Sequence, residues 1–136
     1  MNQEFEFVLG GKYLLVKNES RFEPQEKNAK GEVHQDWGFF SFDQMRKKYV
    51  LRQFHVEGFV NQYVCDGPGE DGKTFVFISE AMENIPPGWK ARLTYRILSE
   101  NEFEQTFDLA AAGKEMECYS KGVMKRKGAT PRPAAP

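Results

Sequence analysis

The side chains of this chain that could carry chemistry are few. The chain has two histidines, His34 and His55, and two cysteines, Cys65 and Cys118, none at a spacing typical of a metal or redox motif. Asp36 follows His34 by two residues, so in a strand both side chains project from the same face. A histidine and a carboxylate supply only two ligands, whereas metal sites in proteins use three or four. We therefore predict no metal site, and we expect both thiols to be free.

Catalytic motifs are also missing from the sequence. It contains no Gly-x-Ser-x-Gly elbow, and its glycine-rich segment 67–72 lacks the Lys-Ser/Thr ending of a phosphate-binding loop. His55 lies in an apolar run, where a neutral imidazole is able to ligate a haem iron or orient a polar ligand. A purely structural role is the preferred interpretation of His55. We predict no catalytic residue, and the pattern favours a protein that is not an enzyme without deciding the question.

The sequence contains nine strand-like runs of residues, and these must position any functional site. They recur about every ten residues from Phe5 to Met124, with breaks rich in Gly, Pro, Asn and Asp between them. Even spacing with turn residues at each break is typical of antiparallel sandwiches and barrels. The pattern predicts an all-β fold, namely an antiparallel up-and-down β-barrel of about nine to ten strands. We expect residues 1–127 to form this single domain and residues 128–136, rich in Pro and Ala, to form a flexible tail.

One hairpin is predicted near the end of the chain. Apolar and polar residues alternate over 89–97 and again over 102–109, so each strand has one buried face and one face in solvent. A turn at 99–102 would bring the arginines of the first strand opposite acidic residues of the second. The residues concerned are Arg92, Arg96, Glu104 and Asp108.

A second hairpin is predicted at the Glu-Gly pair 57–58. Glycine tolerates the positive φ that a two-residue hairpin turn requires. Such a turn would pair His55 with Val60 and Phe54 with Asn61.

The amino-acid composition limits the kinds of partner that the protein is expected to bind. The 136 residues include 12 Phe, 5 Tyr and 2 Trp, and aromatic side chains at this density fill a β-sheet core or line a cavity. The formal net charge of −1 gives no electrostatic reason to expect nucleic acid or an anionic membrane surface. The sequence has no signal peptide and no apolar run of roughly 20 residues. We therefore expect no membrane partner and a reducing, cytoplasmic setting.

The run from 33 to 42 carries aromatic residues at both odd and even positions, and therefore on both faces of a strand. Trp37 and Phe39 share one face, and Phe40 and Phe42 share the other. A strand apolar on both faces is covered on both sides, lies at an interface or borders a cavity. We assign Trp37 and Phe39 to the interior. The predicted ligand-binding residues, taken over all strands, are Trp37, Phe39, Tyr49, Arg52, Gln53, His55, Asn61, Tyr63, Phe77, Trp89, Tyr95, Phe107 and Tyr119.

Three segments carry a resemblance to a known family: VLGGKYLLVKNESRF, DWGFFSFDQMRKKYVLRQFHVEGFVNQYV and AAAGKEMECYSKGVMKR. From about Phe5 to Arg126, the chain resembles the lipocalin-like (calycin) bacterial barrel proteins related to nitrobindin and the fatty-acid-binding proteins. The resemblance rests on strand order, on the Gly-Gly before the second strand and on the spacing of the aromatic segments. It implies an antiparallel barrel around a largely apolar cavity. In nitrobindin-like members that cavity holds haem, and some of them convert peroxynitrite to nitrate.

Two departures from that family affect the expected function. Nitrobindin-like chains open with a strand bearing a Gly-x-Trp-x-Gly pattern, whereas this chain begins almost at Gly10-Gly11. Their proximal haem ligand is a histidine of the last strand, and Tyr119, beside Cys118, occupies that position here. A neutral phenol is a poor ligand for haem. We therefore expect no cofactor, or haem bound weakly through Tyr119, His55 or Cys118.

The expected function is binding of a small hydrophobic ligand inside the barrel. The alternative is a haem-binding, nitrobindin-like protein that handles nitric oxide or peroxynitrite, and a second alternative is a structural or assembly module. Loss of the opening strand would leave two sheet edges unpaired and the face bearing Phe40 and Phe42 in need of cover. Because exposed edges pair readily with another chain, we expect a homodimer.

Overall fold

The structure is a computed structural model that describes residues 2–22 and 32–127, and all of their regular secondary structure is β-strand. The strands are β1 (Asn2–Val8), β2 (Tyr13–Phe22), β3 (Glu32–Asp43), β4 (Lys48–His55), β5 (Val60–Cys65), β6 (Thr74–Glu83), β7 (Lys90–Ser99), β8 (Glu102–Ala110) and β9 (Glu117–Lys125). The tail predicted at 128–136 lies outside the described residues. Within these ranges there is no helix that is long and apolar enough to cross a membrane.

The nine strands form one antiparallel sheet in sequence order, which confirms the predicted all-β, up-and-down fold. The sheet curls into a half-barrel that brings its first strand close to β8. The rings of Phe5 and Phe103 lie 6.1 Å apart, centroid to centroid, and the Gln3 amide nitrogen donates to the Gln105 side-chain oxygen at 2.8 Å. Across the described strands, β1 pairs only with β2 and β9 only with β8, so the sheet has two edges.

The β7–β8 hairpin follows the prediction. Arg92 pairs with Asp108 and Arg96 with Glu104. The Arg92 guanidinium also donates from Nε to Asp108 Oδ2 at 3.1 Å. Clean alternation is sufficient here because a shift of one residue would move every apolar side chain of the strand to the other face.

The β4–β5 turn is longer than predicted, and the predicted register is wrong. The amide of His55 donates to the Phe59 carbonyl at 3.1 Å, and the amide of Gly58 donates to the His55 carbonyl at 2.8 Å. As a result Gln53, and not Phe54, is opposite Asn61. The one-residue correction places the side chains of Gln53, His55 and Asn61 together on the inner face.

The assignment of Trp37 and Phe39 to the interior is also wrong. The inner face of β3 carries Phe40, whose ring lies 5.5 Å from that of Phe77. Trp37 is on the opposite, convex face, where it is 49% exposed and the Lys17 ammonium lies 4.5 Å from its ring centroid. The even-numbered residues of β3 face inward because Phe40 packs into the core, whereas Trp37 does not.

Gly38 is required by close packing on the inner face of β3. A Cβ atom at this position would lie 2.9 Å from Val16 Cγ1 and 3.1 Å from Leu51 Cδ1. The glycine therefore lets these neighbouring strands pack side chains over β3, and any larger residue would force them apart.

The core lies in the middle of the inner face. Its buried members are Leu51, Tyr63, Cys65, Phe77, Ala91 and Leu93, and Phe40, Phe75, Met82, Tyr95, Phe107 and Leu109 pack against them. These residues come from six different strands, β3 to β8, so the core joins most of the sheet across its interior.

Substitution of Leu93 by Ala tests this placement. Leu93 is 2% exposed within the core, so we expect the free energy of unfolding to fall by about 2–5 kcal/mol. Leu98→Ala, on the same strand but 40% exposed, is the matched control and should cost less than about 1 kcal/mol. Urea denaturation measures both losses. Equal losses would contradict the inward placement of Leu93.

Candidate functional site

The interior contains an apolar cavity of about 430 Å³. It lies toward the end of the half-barrel where β3 ends and β4 begins. Its walls are mainly aromatic and include Phe5, Phe7, Phe40, Phe42, Tyr49, Phe75, Phe77, Tyr95 and Phe103. Small-molecule sites in proteins are concave, largely apolar and of this size.

Three rings fix the inner wall of the cavity. Phe40, Phe77 and Tyr95 lie within 5.5–5.9 Å of one another, and each pair meets edge to face at interplanar angles of 67–89°. Edge-to-face contacts of this kind are favourable for aromatic pairs and hold each ring in one orientation. The wall is thus preformed by contacts within the protein.

Tyr95 brings a polar group to this apolar wall. Burial raises the pKa of Tyr95 well above its usual range. The phenol therefore stays neutral and is able to donate or accept one hydrogen bond. A polar group on a largely apolar wall is able to orient a ligand.

The cavity opens to solvent along one rim. Phe7 is 72% exposed although it lines the cavity, and Phe42 and Tyr49 beside it are also exposed. The turn between β1 and β2 approaches this rim and has three successive residues with positive φ: Leu9, Gly10 and Gly11. The exposed aromatic rim gives a ligand a route of entry that needs no rearrangement of the core.

A cluster of polar side chains lies beyond the core, toward the opposite end of β3 and β4. Its centre is the buried carboxylate of Asp36. Asn18 Nδ2 donates to Asp36 Oδ1 at 2.7 Å, and Gln53 Nε2 donates to the same oxygen at 3.2 Å. Two neutral amides thus hold Asp36 in place on the inner face.

Both histidines join this cluster. His34 Nδ1 contacts the carboxylate of Glu57, and the ring of His55 stacks on Phe59 at 4.0 Å. Burial lowers the pKa of His55 below its usual 6.5, against the weaker opposing effect of Asp36. His55 is therefore neutral at pH 7 and its ring has a free lone pair for a ligand.

The cluster is also where a metal ion could be held. His34, Asp36 and His55 each offer one ligand atom, and these three atoms lie within 4.8 Å of one another. Sequence reasoning found the pair His34 and Asp36 but not the third residue. His55 joins them because β3 and β4 place it directly opposite Asp36.

Some of the predicted ligand-binding residues lie in the apolar cavity, some in the core and some in the polar cluster, and the others lie outside all three. Tyr49, Phe77 and Tyr95 line the apolar cavity. Tyr63 and Phe107 belong to or pack on the core, and Gln53, His55 and Asn61 belong to the polar cluster. Outside both sites are Trp37, Phe39 and Arg52 on the convex face, half-buried Trp89 just before β7, and exposed Tyr119 on β9.

Seven aromatic residues of the cavity were not among those predicted, namely Phe5, Phe7, Tyr13, Phe40, Phe42, Phe75 and Phe103. Phe40 was missed because both parities of β3 are aromatic, and only the packing of the inner face distinguishes them. Phe5, Phe7 and Phe103 were missed because they lie at the two ends of the sheet, which come together only when the sheet curls. The alternation in β8 was a usable signal for Phe103.

None of the three candidate haem ligands lines the apolar cavity. Tyr119 is 74% exposed on the edge strand β9, with its ring 5.8 Å from that of Phe107. Cys118 is exposed beside it, and His55 lies in the polar cluster. The apolar cavity and the residues able to bind iron are therefore in different parts of the fold.

The lowered pKa of His55 has a measurable consequence for stability. The folded chain resists protonation of this buried ring, whereas the unfolded chain takes up the proton near pH 6.5. The stability that the neutral His55 ring contributes is therefore fully present above pH 6.5 and is lost as the pH falls below that value. We expect His55→Gln to reduce the acid sensitivity of unfolding between pH 6.5 and 5, measured by urea denaturation with a chelator present. An NMR midpoint for His55 at or above 6.5 would contradict this expectation.

Known proteins supply no functional assignment for this arrangement. No protein-family model and no curated protein matches the chain. The function is therefore argued from the geometry of the cavity and of the polar cluster.

Proposed function

We propose that this protein binds a small hydrophobic ligand in the aromatic cavity. The observation that carries the proposal is the cavity itself, about 430 Å³ in volume and walled mainly by Phe and Tyr side chains. Removing the apolar surface of a ligand from water provides the main driving force for such binding. The preformed wall of Phe40, Phe77 and Tyr95 lowers the entropic cost because few protein side chains need to be ordered.

The lining also indicates the kind of ligand. Among the described residues that line the cavity, Lys12 is the one with a charged side chain, and it is exposed at the rim with Ser41 nearby in the lining. The inner end offers the neutral hydroxyl of Tyr95. These features favour a molecule with an apolar body, whose polar or anionic end, where it has one, lies at the rim beside Lys12.

This proposal has more support than the two alternatives. The haem alternative requires an axial ligand, and the three candidates for that role lie outside the cavity. A purely structural module would need no open apolar cavity. Phe40 and Phe42, which suggested an assembly surface, both line the cavity instead.

A matched pair of tryptophan substitutions tests ligand binding. Ile97 lines the cavity and is 42% exposed, and Ile78 is 49% exposed on the convex face of β6. Titration with the neutral fluorophore N-phenyl-1-naphthylamine should show one site per chain. Ile97→Trp fills part of the cavity and should weaken binding at least about tenfold, a loss of about 1.4 kcal/mol. Ile78→Trp should leave it unchanged.

Two results would overturn the proposal. One is the absence of saturable fluorophore binding to the unsubstituted protein. The other is an equal effect of the two tryptophans, since that would place binding on the convex surface or on unfolded chain.

We also propose that the protein forms a homodimer through its sheet edges. Backbone groups on the outer sides of β1 and β9 have no strand partner in the described sheet, and such edges pair readily. The convex face of β1 carries Glu4 and Glu6, and that of β9 carries Lys121 and Lys125. A two-fold arrangement that pairs β1 of each copy with β9 of the other would place these opposite charges side by side.

The two cysteines support a reducing compartment for this assembly. Both are free thiols, and Cys118 is exposed on the edge strand β9. An exposed free thiol is usual in the cytoplasm and unusual in secreted proteins. A cytoplasmic location is therefore part of the proposal.

Light scattering tests the dimer. At micromolar concentration the mass should be about twice the 15.7 kDa of one chain. Glu6→Lys replaces attraction by repulsion at the proposed pairing and should shift the mass toward that of one chain. Glu70→Lys, on the exposed β5–β6 loop, is the control with the same change in charge. A single-chain mass for the unsubstituted protein would overturn the dimer.

A further inference from the structure

The polar cluster brings together three metal-ligating side chains that are separated in sequence. Asp36 pairs with His55 across β3 and β4, and His34 lies two residues before Asp36 on the same inner face. Their ligand atoms lie within 4.8 Å of one another. In a tetrahedral site with bonds of about 2.0–2.1 Å, ligand atoms are roughly 3.3 Å apart. Metal binding would draw the three ligand atoms closer together by up to about 1.5 Å.

The carboxylate at the centre of the cluster has neutral hydrogen-bond partners among the described residues. Asp36 is 8% exposed, and within the described ranges its partners are the amides of Asn18 and Gln53, both at Oδ1. No lysine or arginine of these ranges forms an ion pair with it. Buried carboxylates are ordinarily paired with a cation or coordinated to a metal. Asp36 therefore has an unused capacity for a cation at Oδ2.

His34 is oriented as metal-ligating histidines usually are. Its Nδ1 contacts the carboxylate of Glu57. Metal-bound histidines commonly donate their other ring N–H to a carboxylate, which fixes the tautomer and makes the remaining nitrogen a better ligand. The contact with Glu57 directs the lone pair of His34 to Nε2.

His55 packs against an aromatic neighbour and has a nitrogen that no described residue uses. Its ring stacks on Phe59, and its Nδ1 is buried without a hydrogen-bond partner in the described part of the chain. Asn61 lies 3.4 Å from its Nε2, and Asn61 Oδ1 is likewise buried without a partner. Turning the Asn61 amide by 180° would let Oδ1 accept a hydrogen bond from Nε2–H, which leaves the lone pair on Nδ1 for a metal.

We propose that His34, Asp36 and His55 form a binding site for a divalent transition-metal ion of the Zn²⁺ class, with Glu57 as the group that positions His34. Two imidazoles and one carboxylate make a common ligand set for such ions, and they leave at least one coordination position open. Asn18 Oδ1, beside Asp36, is a further buried acceptor to which no described residue donates. A water molecule bound to the metal would be able to donate a hydrogen bond to this oxygen.

The metal site is independent of the proposed ligand cavity. None of its three ligands lines that cavity. Failure of one proposal therefore leaves the other standing, and each has its own probe.

Calorimetric titration with Zn²⁺ tests the site. The protein is first freed of metal with a chelator, and Cys118→Ser is used throughout because Cys118 is an exposed thiol. We expect one Zn²⁺ per chain. His34→Gln, His55→Gln and Asp36→Asn should each weaken binding by more than about 100-fold, and Glu57→Gln should weaken it about 10- to 100-fold. Asp66→Asn removes an exposed carboxylate that contacts Lys48 and should change nothing.

A second measurement on the protein with both histidines intact does not depend on the folding of any variant. One equivalent of Zn²⁺ should shift the NMR signals of both imidazole rings together, with no further shift at higher ratios. Absence of Zn²⁺ binding, a shift of only one ring, or binding that persists in folded His34→Gln and His55→Gln would each overturn the site.

Discussion

The band of buried side chains across the middle of the inner face is the feature on which the rest of the structure depends. Leu51 of β4, Tyr63 of β5 and Leu93 of β7 are at most 2% exposed and pack in one cluster. The nine described strands form an open sheet with no backbone pairing between its first and last strands, so its curl must come from side-chain contacts across its interior. This band supplies them, and it holds β3 to β8 around one common core.

The same band divides the interior into two environments. Along β4, Tyr49 lines the apolar cavity, Leu51 belongs to the core, and Gln53 and His55 belong to the polar cluster. Successive inner-face residues thus change from aromatic to aliphatic to polar within one strand. A strand rises about 3.3 Å per residue, so a few residues are enough to keep polar groups away from an apolar ligand. The fold therefore offers two chemically different sites without a second domain.

The inward and outward faces of a strand could be predicted from sequence only where apolar and polar residues alternate clearly. In β7 and β8 the alternation is clean, and the predicted pairing of Arg92 with Asp108 is confirmed. In β3 both faces are aromatic, so parity alone could not show that Phe40 lies inside and Trp37 outside. The metal-ligating group was missed for a related reason, since the third ligand, His55, is fixed by pairing between strands and not by spacing along the chain.

The β4–β5 turn shows how a small local error reaches the site. A two-residue turn at 57–58 would have placed Asn61 on the face opposite His55, away from the polar cluster. The longer turn, closed by the hydrogen bond between the His55 amide and the Phe59 carbonyl, places Asn61 beside the His55 ring. It also brings Phe59 under that ring and Glu57 within reach of His34. One turn thus positions the groups around both histidines, and no composition or periodicity argument specifies its length.

Tyr63 is the side chain that joins the two environments physically. Its ring is fully buried in the core with Leu51 and Phe77, which also lines the apolar cavity. Its hydroxyl lies 3.1 Å from Asn61 Nδ2, so it also belongs to the polar cluster. Burial raises the pKa of Tyr63 far above its usual range, so the hydroxyl stays neutral and can accept or donate as the Asn61 amide turns. Tyr63 therefore belongs both to the core behind the cavity wall and to the polar cluster.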